Sequence, residues 1–274
     1  MLFDRLYELD LAVLYPATFL LIAAAAELGN RIGLRFRDTE HGGTDISTLT
    51  GAALGLLALL LAFSFSIALS RYDARRGMVL EEANAIGSTA NFALMLPGPA
   101  QAPILNLLRD YSAVRIGLGV PFDPAKLRRD VDRSLELQAA LWQQAVALTA
   151  AAPQSLPAYR FVASLNEMNN IHERRLAALR YHVPGMVMFV LIGVAMVAMG
   201  FTGYSAGVGG IRRRFATLIM SLTIAVVVML AFDLDRPARG LIHVPVQPLL
   251  GAAQSIQNAA PDPAGAEPPQ RPVP

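Results

Sequence analysis

Between Ile46 and Ser70 no residue is charged, and the run ISTLTGAALGLLALLLAFSFSIALS can cross a bilayer as a helix. A hydrocarbon core about 30 Å thick takes about 20 apolar helical residues at about 1.5 Å each. The residues after it constrain the fold further. Arg71, Asp73, Arg75, Arg76, Glu81 and Glu82 follow without a proline, and Gly77 is the only glycine before Gly87. One helix is therefore expected to leave the membrane and become the first helix of a water-facing domain.

Composition agrees. The chain is 54% hydrophobic and 16% charged, where a soluble domain carries about 25% charged residues. A net charge of +2, from 23 basic and 21 acidic residues, provides no electrostatic footprint for nucleic acid. The absence of cysteine excludes thiol catalysis, disulfides and cysteine-ligated metals. The residues before the first apolar run are acidic where a cleavable signal would be basic, so that run is expected to stay as a span.

Four segments are apolar enough to span: Leu9 to Leu28, with Pro16 inside; Leu49 to Ser70; Val183 to Tyr204, with Pro184 at its entry; and the stretch bounded by Arg214 and Asp233. The expected class is an all-α integral membrane protein with four transmembrane helices. Residues 1–70 and 183–233 form two transmembrane hairpins. Residues 71–182, between spans two and three, form a membrane-proximal helical bundle continuous with both spans, and residues 234–274 a compact DLDRP phrase and a disordered Pro/Ala-rich tail.

Proline and glycine clusters at Pro97–Pro99, Gly119–Pro124 and Pro153–Pro157 cut the bundle into four helices. The first extends span two to about Met95. The second, Ile104 to Leu118, has Leu105, Leu108, Tyr111, Ser112 and Arg115 at helical spacing. The third takes Asp123 as N-cap and Pro124 at its first position, and the fourth runs from Pro157 to His182 into span three. Orientation stays open. Arg31, Arg35, Arg37 and Arg212 to Arg214 place the short loops in the cytoplasm, while Arg71, Arg75, Arg76, Arg174, Arg175 and Arg180 flank the spans on the domain side.

Each polar cluster carries two readings. Leu59, Phe63, Ser66, Ser70 and Asp73 share one helix face, which could form a hydrophobic constriction opening to a wet vestibule, or let helices pack closely. Arg71, Asp73, Arg75 and Arg76 either attract ions or anchor a helix end at lipid phosphates. Glu81, Glu82 and Asn84 on the first bundle helix face Asn166, Asn169, Asn170 and Arg174 on the fourth. That polar network either fixes packing or lines an aqueous path. Asp233, Asp235, Arg236, Pro237 and Gly240 close span four. The two aspartates point apart on a regular helix, so a salt-bridged helix stop is favoured over a cation site. No metal and no cofactor is expected. The four histidines have no HExxH spacing, and no GxSxG elbow or phosphate-binding loop occurs, so no enzyme is expected.

The junction and the tail together resemble a known family. Phe63, then Arg71-Tyr72, Asp73-Ala74-Arg75-Arg76 and the phrase Glu82-Ala83-Asn84-Ala85-Ile86-Gly87, with the terminal Asp233 to Gly240, are similar to bacterial bestrophin-like domain proteins and more distantly to bestrophin ion channels. Tyr72-Asp73 stands where bestrophins place paired tryptophans. The resemblance implies a multi-pass protein of the bacterial inner membrane, in contact with lipid, and a homo-oligomeric ring, a pentamer in bestrophins. It further implies an inorganic ion as the permeant species and a pore neck of Phe63, Ile67 and Ser70 on span two. It also puts the helical domain in the cytoplasm. The rival expectation is a non-conducting membrane scaffold or sensor whose helical domain binds a protein partner.

Overall fold

The computed structural model describes residues 11–37, 43–118, 123–180, 185–210, 214–236 and 240–259. Among these, eight helices and no strands occur: α1 (Leu11–Arg35), α2 (Gly43–Ala93), α3 (Gly98–Gly117), α4 (Pro124–Ala151), α5 (Leu156–Arg180), α6 (Gly185–Val208), α7 (Arg214–Asp235) and α8 (Gln247–Ala259). Four of them, α1, α2, α6 and α7, are long and apolar enough to cross a membrane. The described residues divide into two compact units. One draws on Met1–Asp73 and Tyr181–His243, the other on Ala74–Arg180 and Val244–Pro274.

In the first unit, α1 keeps Pro16 inside it and runs on to Arg35, well past the expected end near Leu28. Gly29 and Gly33, which read as the start of a polar loop, are buried helical residues. A Cβ on Gly29 would overlap the Gly200 carbonyl, and one on Gly33 the carbonyl of Tyr204. From the α6 side, a Cβ on Gly203 would overlap the Ala26 carbonyl and one on Gly207 that of Asn30. The two backbones touch, as in membrane helix pairs built on small residues four apart. These glycines are contact surface rather than punctuation, so α6 also continues to Val208 instead of ending near Tyr204. Ile22, Ala26, Leu57, Leu191, Ala195, Met199, Ala225 and Val228 form the core around this seam. Hydroxyls cause no loose polar ends there: Thr202 donates to Ala198 O (2.9 Å), Ser221 to Thr217 O (2.9 Å) and Thr18 to Met229 Sδ (3.4 Å).

The second unit is a helical bundle whose core joins Ala83, Ile86 and Ala90 of α2 to Leu105 and Leu108 of α3, Leu137 and Leu141 of α4, and Phe161, Leu165 and Met168 of α5. Asp123 caps α4 by accepting the Ala125 N–H at 2.9 Å, and Pro124 occupies the first helical position, where its missing N–H costs nothing. The α5 helix begins at Leu156 and is described to Arg180; its expected passage into span three, with His182 and Pro184, lies outside the described residues. So does the tail beyond Ala259. Before that tail lies an unforeseen helix, α8, which seats Leu249 and Ile256, one heptad apart, in the bundle core.

Candidate functional site

α2 carries the candidate site along its length. No proline interrupts it, and the only break in character is chemical. Among the exposed side chains of α2, one stripe in the first unit takes in Ala52, Leu56, Leu59, Phe63, Ser66, Ile67, Ser70 and Asp73, and one in the second unit Leu80, Glu81, Asn84, Ser88 and Asn91. Steps of mostly three and four residues at about 100° each keep each set on one face. The other face supplies Leu57 and Ala68 to its surroundings and, further on, Val79, Ala83, Ile86 and Ala90. The exposed stripe is apolar up to Ile67 apart from Ser66, hydroxylic at Ser70, and polar or charged over most of the rest. Phe63 is 61% and Ile67 49% exposed. Only 11% of the most apolar stretch of α2 is buried, against 22–39% for the other three spanning helices.

At the junction, Arg71 is half-buried, Asp73 and Arg76 are exposed, and Arg75 is buried. Tyr72 donates its hydroxyl to the His243 carbonyl at 3.4 Å.

Of the residues expected in the polar network, Glu82 is its buried centre, and the others lie outside that centre. Glu81 is exposed and lies 3.9 Å from Arg174, which itself bonds Glu167 at 2.7 Å. Asn84, Asn166 and Asn170 are exposed and Asn169 is half-buried. Glu82 instead is fully buried and holds two arginines: Arg115 Nε donates to Oε1 at 2.5 Å and Arg175 Nη1 to Oε2. Tyr111 stands beside them, its hydroxyl 3.4 Å from Glu82 and 3.1 Å from His172 Nδ1, and accepts from Gln138 Nε2 at 3.3 Å. The Glu82 carboxylate joins α2 to α3 and α5, and α4 enters the cluster through Gln138 on the Tyr111 hydroxyl. Next to it Thr89 and Ser164 share a hydrogen bond of 2.9 Å between α2 and α5.

Burial raises the Glu82 pKa, but the Arg115 and Arg175 charges outweigh it and hold the carboxyl below its ordinary value. Burial pushes the Tyr111 hydroxyl up, only partly offset by Arg115. His172 is driven down to about 4, by burial first and by the Arg115 charge second, so it is neutral at physiological pH. Arg115 was visible in the sequence as the arginine on an otherwise core-facing stripe with Leu105, Leu108 and Tyr111; a charge at a core position calls for a buried partner.

At the end of α7, the Asp233 carboxylate accepts the N–H groups of Leu241 (2.8 Å) and Ile242 (3.1 Å). A Cβ on Gly240 would come within 2.7 Å of Asp233 Oδ1, so the chain can return to the carboxylate only as glycine. The Arg236 guanidinium lies over the Phe232 ring at 4.4 Å. Asp235 is buried on the last turn, and Pro237 lies outside the described residues. No group of three His, Asp or Glu side chains among the described residues could hold a metal ion.

Comparison with known proteins places these features in a family. The model of the bestrophin-like domain matches residues 17–249. A bacterial bestrophin homologue from Klebsiella pneumoniae has the same fold, with a TM-score of 0.64 and 18% identity over 92% of this chain and 98% of that one. A point-substituted form of that homologue gives 0.65 and 19% over 92% and 99%. A further crystal structure, described only as a membrane protein, gives 0.68 and 17% over 90% and 99%. No functionally curated protein matches.

Proposed function

This chain belongs to the bestrophin-like family, and from that premise we propose that it is the subunit of an oligomeric ion channel whose pore is lined by α2. The observation that carries the proposal is the uncovered stripe on that helix. A spanning helix at the rim of a monomer would be apolar along its lipid face and end there. This stripe runs from Leu56 through Phe63 and Ile67 into Ser70 and Asp73, then on to Glu81, Asn84 and Asn91. An apolar constriction that opens into a polar, water-filled vestibule has this order of side chains. Phe63, Ile67 and Ser70 form the neck, with Arg71, Asp73 and Arg76 at its mouth.

One chain with four spans cannot enclose an axial pore, so conduction requires a closed ring of copies, a pentamer on the bestrophin pattern. A second exposed stripe supports assembly: Leu135, Trp142 and Val146 lie on one face of α4, each more than 40% exposed. The helical bundle inserted between spans two and three faces the cytoplasm in this reading, and the protein resides in the bacterial inner membrane. That same α4 stripe would serve a non-conducting scaffold that docks a different protein, and oligomeric mass separates the two. A closed ring measured in nanodiscs supports the channel; a monomer removes the axial pore. In planar bilayers Phe63→Ala should change unitary current severalfold with assembly intact. A current identical to that of the unaltered protein would rule out Phe63 as the neck.

A further inference from the structure

The charge balance of the buried cluster is incomplete. Arg115 and Arg175 share the single carboxylate of Glu82, and Arg115 is 0% exposed. Its Nε is engaged by Glu82, yet neither Nη1 nor Nη2 has an acceptor among the described residues. The Tyr111 ring centroid lies 5.9 Å from the guanidinium carbon. That ring attracts the cation, but it accepts none of the in-plane N–H groups. Tyr111 and Gln138 are uncharged, and His172 is neutral because burial and Arg115 lower its pKa. Among the described residues the cluster therefore carries one net positive charge, with Glu82 and Arg115 fully buried.

We propose that the bundle holds a small monovalent anion, of halide size, on the terminal amino groups of Arg115. A buried cation is stable only when paired and hydrogen-bonded. A lone water could accept the protons, but it would leave the charge uncompensated. An anion does both, and the four N–H bonds of Nη1 and Nη2 are donors only, which selects an acceptor-only ligand. The site is internal to one bundle and separate from the α2 stripe, so it stands or falls independently of conduction.

The test uses the full chain in nanodiscs, with thermal unfolding followed in sodium chloride, sodium bromide and sodium gluconate at equal ionic strength. A ligand that binds only the folded state raises the midpoint in a saturable way. A rise of about 3 °C in halide over gluconate is expected for a chain of this size at saturation. Arg115→Met should abolish it. Anomalous scattering from bromide-grown crystals of the unaltered protein should show bromide at hydrogen-bonding distance from Arg115 Nη1 or Nη2. That measurement decides the matter even if Arg115→Met does not fold. A midpoint indifferent to halide, a halide effect undiminished in Arg115→Met, or bromide found only elsewhere each overturns the proposal.

Discussion

Glu82→Gln is the sharpest probe of what holds the bundle together. Glutamine matches glutamate in shape but carries no charge, so the substitution isolates electrostatics from packing. In the native cluster the carboxylate accepts from Arg115 Nε at 2.5 Å and from Arg175 Nη1, all three side chains being buried. Two unit charges at about 4 Å attract by about 4 kcal/mol at an effective dielectric constant of about 20. Desolvation offsets part of that in the intact cluster. Once the carboxylate is gone the attraction vanishes while the desolvation cost of the arginines stays, because two guanidinium groups remain buried beside a neutral amide. Removing one partner of a buried pair costs about 3–5 kcal/mol, and each kcal/mol lowers the midpoint by about 2–4 °C at this chain length. Thermal unfolding in detergent, followed by far-ultraviolet circular dichroism, should therefore drop by about 6–20 °C. Replacing the whole triad with apolar side chains, Glu82→Leu with Arg115→Met and Arg175→Met, should recover most of the loss, because no charge is then left unpaired. A Glu82→Gln midpoint within about 2 °C of wild type would refute the argument, and so would a triple variant as damaged as the single one.

His172 is held near 4 against an ordinary 6.5, so the unfolded chain binds the extra proton; stability should fall as pH drops from about 6.5 to 4, by up to about 3 kcal/mol. Glu82, held below its ordinary 4.5, adds a second loss at lower pH, and His172→Gln should remove only the first limb of a pH–midpoint curve. Gly203→Val forces a side chain into the Ala26 carbonyl and should cost about 2 kcal/mol or more; Gly251→Ala, in open space on α8, should instead stabilise by about 0.5–1 kcal/mol in the same melts. Gly240→Ala should cost about 1–3 kcal/mol by crowding the Asp233 carboxylate, seen as faster amide exchange at Leu241 and Ile242.

The spanning helices were legible because an uncharged apolar run of bilayer length has few alternative uses. Their ends were not. Gly29, Gly33 and Gly207 carry the composition of a loop, and only the facing backbone of the partner helix reveals them as contacts. The bundle helices were legible from their breakers, with Asp123 and Pro124 placed as the N-cap and first residue of α4. The network was half legible. Glu82 and Arg175 stood among the polar residues of α2 and α5, but the exposed Glu81, Asn84 and Arg174 have the same chemistry, and helix phase alone did not rank them. The helix α8 escaped because two buried side chains, Leu249 and Ile256, make too thin a stripe against a polar and proline-rich background.

The glycine seam divides the first unit mechanically. Side chains between helices act as compliant bearings: they change rotamer, and the helices slide. Where Gly29 and Gly33 of α1 meet Gly203 and Gly207 of α6 there is no such layer, and main chain meshes directly against main chain. The two helices work as one rigid plank, locked in register like paired gear teeth. The glycines of α2, at 51, 55, 77 and 87, meet nothing within 4 Å. A side chain added at any of these four would be accommodated, whereas one added at any of the four seam glycines would part α1 from α6.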